Sequence, residues 1–294
     1  RTISEMILRD DNIEIYNKYL DRFINLKLLL IADNFDNQQI TLPEGLQNLE
    51  IESDFDQEIT LPEGLKEFKM MGWGFNKPIK TRMNNGEIRD GLPEGLQSLT
   101  IGGEFNQEIT LPQGLRNLEI AEGDFNQPIE LPQGLQKLEI NDYTVFNQPI
   151  DLPQGLKALK IRKDIPITLL MGFNQEITLP DGLRNLEIGK DIPITTLPRG
   201  LKRLILGNDF NRPITLPRGL RQLKIDDNSP FNQNTPGQDY LELPEGLKHF
   251  VKWGWHFRKD FKTRMDNGEI REFDDEQNPY KDIQFSDNNY LLDY

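Results

Sequence analysis

Two stretches of the chain carry nearly the same charged decapeptide: Lys80 to Arg89 reads KTRMNNGEIR, and Lys262 to Arg271 reads KTRMDNGEIR. Each places a glutamate, Glu87 or Glu269, between an Asn-Gly pair and an arginine. A duplicated carboxylate raises the question of acid–base chemistry. Glycoside hydrolysis needs two carboxyl groups at a defined separation, and neither decapeptide supplies a second fixed one. DNGE also lacks the ligand pattern of a calcium loop. His249 and His256 have no nucleophile or zinc partner at a diagnostic spacing. Asp226-Asp227-Asn228-Ser229 and Asp274-Asp275-Glu276 can attract a cation, but they read more simply as solvated acidic loops. GxSxG, GxxxxGK[ST], HExxH and a GxGxxG before a helix are all missing. The expectation is a protein with no catalytic centre, no metal and no cofactor.

Composition narrows the class further. The 294 residues include no cysteine and carry a net charge of −14. Zero cysteine excludes disulfides, thiolate metal sites and a cysteine nucleophile, and suits a reducing compartment. No apolar run approaches the roughly 18 residues of a membrane helix. The first residues lack the shape of a signal peptide, and the chain opens on Arg1, as a trimmed product would. The acidic balance opposes non-specific nucleic-acid binding.

The decapeptides must be positioned by something, and the rest of the chain is a repeat. Its unit is LPxGLxxLxI, a spacer, and FNQxI, as in Leu111 to Glu130. The proline recurs at Pro43, Pro62, Pro93, Pro112, Pro132, Pro153, Pro180, Pro198, Pro217 and Pro244, mostly 18 to 21 residues apart. An eleventh, degenerate unit runs from Asn25 to Ile31. Such a period predicts a solenoid. Pro presets φ for a turn, and the Gly two places on is expected to close it with φ > 0. LxxLxI is too short for a helix and alternates, so it predicts a brief strand with Leu and Ile inward. Stacked coil on coil, these strands predict a parallel sheet along a rod of roughly 50 Å.

One phenylalanine per coil (Phe35, Phe55, Phe75, Phe105, Phe125, Phe146, Phe173, Phe210 and Phe231) predicts an aromatic spine. The asparagine after it (Asn106, Asn126, Asn147, Asn174, Asn211) predicts a structural ladder, each amide serving backbone groups of the adjacent coil. The eighth coil has Ile192 in place of Phe and no Asn, where the ladder should break and the stack kink. A related KDIPIT insertion spans Lys163 to Thr168.

FNQPI at Phe125 and Phe146, FNKPI at Phe75 and FNRPI at Phe210, each preceded by LPxGLxxLxI, resemble FNIP repeats over residues 24 to 260. That family is a leucine-rich-repeat relative abundant in social amoebae and in the giant DNA viruses that infect amoebae. This chain departs from its name by carrying Gln, Lys or Arg in third place. The resemblance implies a leucine-rich-repeat-like fold that is mainly β. It also implies a protein-binding role, as in adaptors that join an F-box to such repeats and recruit substrates to a host ubiquitin ligase. Residues 1–23 are too short for a complete F-box and lack its motif. The alternative is a structural virion component, so the expected site of action is host cytoplasm or virion.

Within this frame each decapeptide belongs to a longer copy: Leu61 to Arg89 aligns without gaps with Leu243 to Arg271, 182 residues on. Asn85-Gly86 and Asn267-Gly268 predict type I′ hairpins, so the copies are expected to be duplicated structure inserted into coils. The expected organisation is an N-terminal cap over 1–23 with a short helix carrying Ile13, Tyr16, Leu20 and Phe23. A solenoid over 24–260 follows, with its hairpin at 77–91, and then a second hairpin with an acidic cap or tail over 261–294. Trp253 and Trp255 are aromatic candidates for an interface, with core packing as the competing reading.

A partner would meet outward side chains. The residue after each GL is Gln47, Lys66, Gln97, Arg116, Gln136, Lys157, Arg184, Lys202, Arg221 or Lys248, mostly cationic. Basic residues thicken from Lys157 to Lys224, including Arg162, Lys163, Arg199, Arg203, Arg212 and Arg218. The candidate partner-binding face is Lys157, Arg184, Lys202, Arg221 and Lys224, steering an acidic protein against an acidic body. The competing reading is a solvated face of ladder ion pairs, each of little worth.

Overall fold

In each LPxGL turn the leucine after the glycine donates its amide to the proline carbonyl, as Leu115 does to Pro112 at 3.0 Å. The same bond closes all ten turns. The glycine does not work as expected. Glycines with left-handed φ are Gly86, Gly91, Gly103, Gly123 and Gly268, and none lies in an LPxGL turn. The turn is of type I character, which needs no positive φ. Close approach is what excludes a side chain there. A Cβ on Gly182 would stand 2.7 Å from the carbonyl oxygen of Gln154 in the preceding turn, and one on Gly155 2.9 Å from that of Gln133.

The computed structural model describes residues 3–9, 13–19, 23–32, 40–52, 54–162, 173–189, 192–194, 196–207, 210, 212–226, 240–252 and 260–272. The chain begins with β1 (Glu5–Leu8), α1 (Ile13–Lys18), β2 (Leu28–Ile31), β3 (Asn48–Ile51), β4 (Thr60–Pro62) and β5 (Glu67–Met70). Next come β6 (Lys80–Arg82), β7 (Ile88–Asp90), β8 (Ser98–Gly103), β9 (Asn117–Gly123), β10 (Lys137–Ile140) and β11 (Ala158–Ile161). The remainder are β12 (Asn185–Ile188), β13 (Arg203–Leu206), β14 (Gln222–Ile225), β15 (Tyr240–Pro244), β16 (His249–Lys252), β17 (Asp260–Arg264) and β18 (Ile270–Glu272).

Twelve strands form one parallel sheet in the order β1-β2-β3-β5-β8-β9-β10-β11-β12-β13-β14-β16. Register follows the motif. Leu118, Leu138, Leu159 and Leu186 lie opposite one another on four successive strands, and so do Ile120, Ile140, Ile161 and Ile188. All eight are buried, while the residues between them face outward. A slip of one residue would turn every leucine to solvent, which is why the pattern specifies the pairing. Behind the sheet, Phe55, Phe75, Phe105, Phe125, Phe146 and Phe173 stack in series with centroids 5.9 to 6.3 Å apart and planes within 16°.

The sheet starts earlier than the repeat motif. β1 pairs in parallel with β2 over four residues, although EMIL carries no LPxGL. The helix after it buries Tyr16, whose ring stacks on Phe23 at 5.6 Å and whose hydroxyl donates to Thr41 O at 2.7 Å. Burial pushes that phenol above its ordinary range. At the irregular eighth coil the strand ladder is unbroken, since β12 and β13 pair over all four residues. Ile192 is fully buried and fills the place of a ring. Phe35, Phe231, the KDIPIT insertion, Leu20 and residues 273–294 lie outside the described residues.

Candidate functional site

The repeated asparagine is held entirely by its neighbours. The backbone N–H of Asn126 donates to Asn106 Oδ1 at 3.0 Å, that of Asn147 to Asn126 Oδ1 at 2.9 Å, and that of Asn174 to Asn147 Oδ1 at 3.0 Å. The glutamine that follows joins in: Gln148 Nε2 donates to the backbone oxygen of Asn126 at 2.9 Å and to its Oδ1 at 3.3 Å. Gln107, Gln127 and Gln175 repeat the pattern. The sequence alone did not assign the glutamine a role, although its recurrence beside the asparagine was the available signal. Asn211 lies outside the described residues.

The cationic column after GL runs along the stacked turns. Four of its long side chains reach the glycine of the next coil. Lys66 Nζ donates to Gly95 O at 3.2 Å, Arg116 Nη1 to Gly134 O at 2.8 Å, Lys202 Nζ to Gly219 O at 3.3 Å and Arg221 Nη1 to Gly246 O at 3.0 Å. Arg184 instead donates to Asp181 O and Leu183 O of its own turn, at 3.4 and 3.3 Å. Neutral carbonyls leave the charge uncancelled. Among the described residues no ion pair involves Lys157, Arg184, Lys202, Arg221 or Lys248, and all but half-buried Lys157 are exposed.

The sheet face beside this column behaves differently. Its charges meet in pairs: Lys69 with Glu50 at 3.7 Å, Lys160 with Glu139 at 3.9 Å, and Arg162 with Glu187 at 2.7 Å. Lys224 belongs here and not to the column, because its Nζ lies 3.1 Å from Asp226 Oδ1. Where β10 to β13 adjoin, the short side chain of Ala158 leaves a shallow depression open to solvent. Ile205 and Arg203, both buried on β13, line it together with Lys160 and Glu187. The signal for this feature was the RLIL of β13, where an isoleucine stands at an outward position that is polar on the strands to either side.

The two decapeptides fold identically. β6 pairs in parallel with β4 and antiparallel with β7; β17 does the same with β15 and β18. Arg82 Nη2 reaches past β4 to Leu42 O at 2.6 Å, and Arg264 Nη2 reaches Leu216 O at 2.7 Å. Asn84 N–H donates to Glu63 Oε2, and Asp266 N–H to Glu245 Oε2. The turn is not type I′. Gly86 N–H donates to Met83 O and Met83 N–H to Glu87 O, both at 2.8 Å, and only Gly86, not Asn85, has positive φ. This is a three-residue loop, a type I turn closed by a left-handed glycine. Asn85 Oδ1 instead accepts the Glu87 amide at 3.0 Å.

Glu87 takes both ends of the Arg89 guanidinium, at 3.2 and 3.1 Å, and Glu269 takes those of Arg271 at 3.1 Å each. These bonds, and then the asparagine at the turn, hold both carboxyls below their ordinary range. His249 faces outward on β16, half-buried; His256, Trp253 and Trp255 lie outside the described residues. Among the described residues no three His, Asp or Glu side chains converge where they could hold a metal ion, and no helix is long and apolar enough to cross a membrane.

The FNIP Repeat family matches residues 85–123, 105–143, 125–164 and 190–228. The first three windows advance by 20 residues, one coil at a time. No curated protein matches the chain. Among solved structures it is similar to CroV588, a circular leucine-rich-repeat protein of a giant virus, at 27% identity over 81% of this chain, with a TM-score of 0.46. The chain spans 41% of the length of CroV588. The first three windows coincide with coils whose phenylalanines stack and whose asparagines form the ladder. On that correspondence the chain carries FNIP repeats, stacked coil on coil along one parallel sheet.

Proposed function

We propose that this chain is a non-enzymatic protein-binding solenoid whose partner meets the column of turn cations. The observation that carries the reading is the contrast between two adjacent strips of surface. On the sheet face, lysines and arginines are neutralised by carboxylates; along the turns, Lys157, Arg184, Lys202, Arg221 and Lys248 give only hydrogen bonds to carbonyls or none. An uncancelled cationic strip on a chain of net charge −14 steers an acidic partner into one orientation. The depression floored by Ala158 and Ile205 lies beside that strip and offers an apolar anchor point, the kind of pocket in which interfaces concentrate their energy. A protein partner fits this surface better than nucleic acid, because no aromatic side chains interleave with the cations.

The resemblance that the repeats carry extends the reading to the substrate-recruiting part of a ubiquitin-ligase adaptor acting in host cytoplasm. A structural virion component is the alternative. The test is capture of proteins from amoebal lysate by the chain, beside a Lys202→Glu/Arg221→Glu variant and a Lys224→Glu variant. The expected result is a salt-sensitive acidic partner lost with the first variant and retained with the second, since Lys224 is already neutralised. Ligase components among the captured proteins support the adaptor role. Equal capture by all three chains overturns the proposed face, and abundance in purified virus particles without any partner favours the structural role.

A further inference from the structure

The hairpins present something that the turn column does not: two open sheet edges of the same sequence. In the first hairpin the amide of Met83 bonds Glu87 O and the amide of Gly91 bonds Ile79 O. Antiparallel pairing alternates, so Glu87, Arg89 and Gly91 turn their backbone groups toward β6, and Ile88 and Asp90 turn theirs away from the sheet. β7 is the last strand of its three-stranded sheet, and β18 is the last of the other. The bond from Met265 N–H to Glu269 O sets the same phase, so Ile270 and Glu272 face outward in turn. Every side chain of β7 is exposed, with Ile88 58% accessible, and Ile270 is 36% accessible.

An exposed edge is usually blunted by charges of one sign, which repel a second copy. This edge carries Glu-Ile-Arg, and that order has a particular symmetry. Laid antiparallel against itself with isoleucine opposite isoleucine, it sets each glutamate opposite an arginine and each arginine opposite a glutamate. Residues directly opposite share a face, so both ion pairs form on one side and the isoleucines meet on the other. The register also places the outward N–H and C=O of Ile88 against those of its counterpart, which makes it a hydrogen-bonded pair. Among the described residues the side chains of Glu87 and Arg89 bond each other and the turn asparagine, and both are exposed, so they can exchange partners without uncovering any buried group.

The core explains none of this. The shared NGEIR lies on the exposed side of both hairpins. The geometry points to self-association: we propose that a second copy of this chain docks on the edges of β7 and β18 by antiparallel strand addition. This inference does not depend on the acidic partner of the turn column. A three-residue strand pair is far below the roughly 1,000 Å² of a stable interface, so one contact is weak, and two hairpins per chain strengthen it by multivalency. Pairing that engages both hairpins of each chain reciprocally closes a two-fold dimer, whereas pairing through one hairpin of each chain leaves edges free and builds longer assemblies.

The experiment is sedimentation velocity on the whole chain from dilute to near-millimolar concentration, with three variants. Glu87→Arg/Glu269→Arg makes the edges Arg-Ile-Arg, placing like charges opposite each other, and is expected to weaken association by roughly tenfold or more. The double exchange Glu87→Arg/Arg89→Glu, made in both hairpins with Glu269→Arg/Arg271→Glu, restores self-complementarity and is expected to restore association. Ile88→Pro/Ile270→Pro removes the outward N–H, which a sheet edge tolerates, and is expected to abolish it. Circular dichroism of each variant reads out the fold separately. A wild-type chain that stays monomeric throughout overturns the proposal, and so does association that Glu87→Arg/Glu269→Arg leaves unchanged.

Discussion

Asn126 shows why the recurring amide serves the stack and not a ligand. Its Oδ1 is engaged by the Asn147 amide and by Gln148, and its backbone oxygen by the same glutamine. Asn126→Ala strips the acceptor from the Asn147 amide, and is expected to cost roughly 1–3 kcal/mol. Asn126→Asp keeps an acceptor at that place and should lose less. Denaturation midpoints decide it; equal loss by the two variants would mean that the hydrogen bond is not what matters. This ladder was legible because the residue recurs at one phase. The glycine of LPxGL was legible as part of a turn, but its reason was not, because the constraint comes from the carbonyl of the coil before, as Gln154 O does at Gly182. Gly182→Ala is accordingly expected to destabilise by roughly 1–3 kcal/mol through overpacking, while the same change at Gly86, where nothing stands within 4 Å, meets only the strain of its φ of +85°. Glu87 supplies a pH test. Arg89 and then Asn85 hold its carboxyl below the ordinary 4.5. A depressed folded value contributes its stabilisation above the ordinary value and loses it as pH falls through the lower one. Protection of the Met83 and Gly86 amides, taken relative to their intrinsic exchange rates, should therefore fall only below 4.5, and Glu87→Gln should remove that acid dependence.

The hairpins carry the lesson at the scale of the element. Asn-Gly signals a type I′ turn when those two residues are the whole loop. Here Asn84 adds a third loop residue, so Asn85 stays right-handed and only Gly86 crosses over. Local chemistry announced a hairpin, and one more residue decided its kind. What the hairpin rests on was not legible at all. Arg82 lies on β6, yet its guanidinium is joined to Leu42 O and Glu44 Oε1 of an earlier coil, each at 2.6 Å. That contact spans some forty residues and leaves no mark on the local pattern. Arg82→Ala is expected to free the hairpin while leaving the stacked coils intact. Amide exchange at Met83 and Gly86 should rise, with little change at Leu99 and Leu118 on the neighbouring strands. Matching loss of protection at both places would mean that the hairpin is integral to the coil and not an attachment. Arg264, joined to Leu216 O and 3.6 Å from Glu242, should behave alike, although Arg218 stands where the first hairpin has Glu44.

Across the whole molecule, the described coils pair with the coils beside them: the sheet pairs neighbour to neighbour from β1 to β16, and each stacked phenylalanine meets the next. Such a chain is close to one-dimensional, and its stability is a sum of coil terms and interface terms. The period in the sequence was enough to show this, since identical inward positions can be buried only by stacking. It could not show that the stack opens with β1, whose EMIL has no turn motif and is recruited because an edge of the sheet stands next to it. One-dimensionality makes a prediction that a globular core would not. Phe125 is fully enclosed between Phe105 and Phe146, at 6.2 and 5.9 Å, and Phe125→Ala is expected to cost roughly 3–5 kcal/mol. The loss belongs to two interfaces only. Amide protection should fall in β9 and β10 and their immediate neighbours, while β3 and β14 keep theirs, so that unfolding separates into two steps. If protection instead falls equally from β3 to β14, the coils are coupled over the full length of the sheet and the nearest-neighbour account fails.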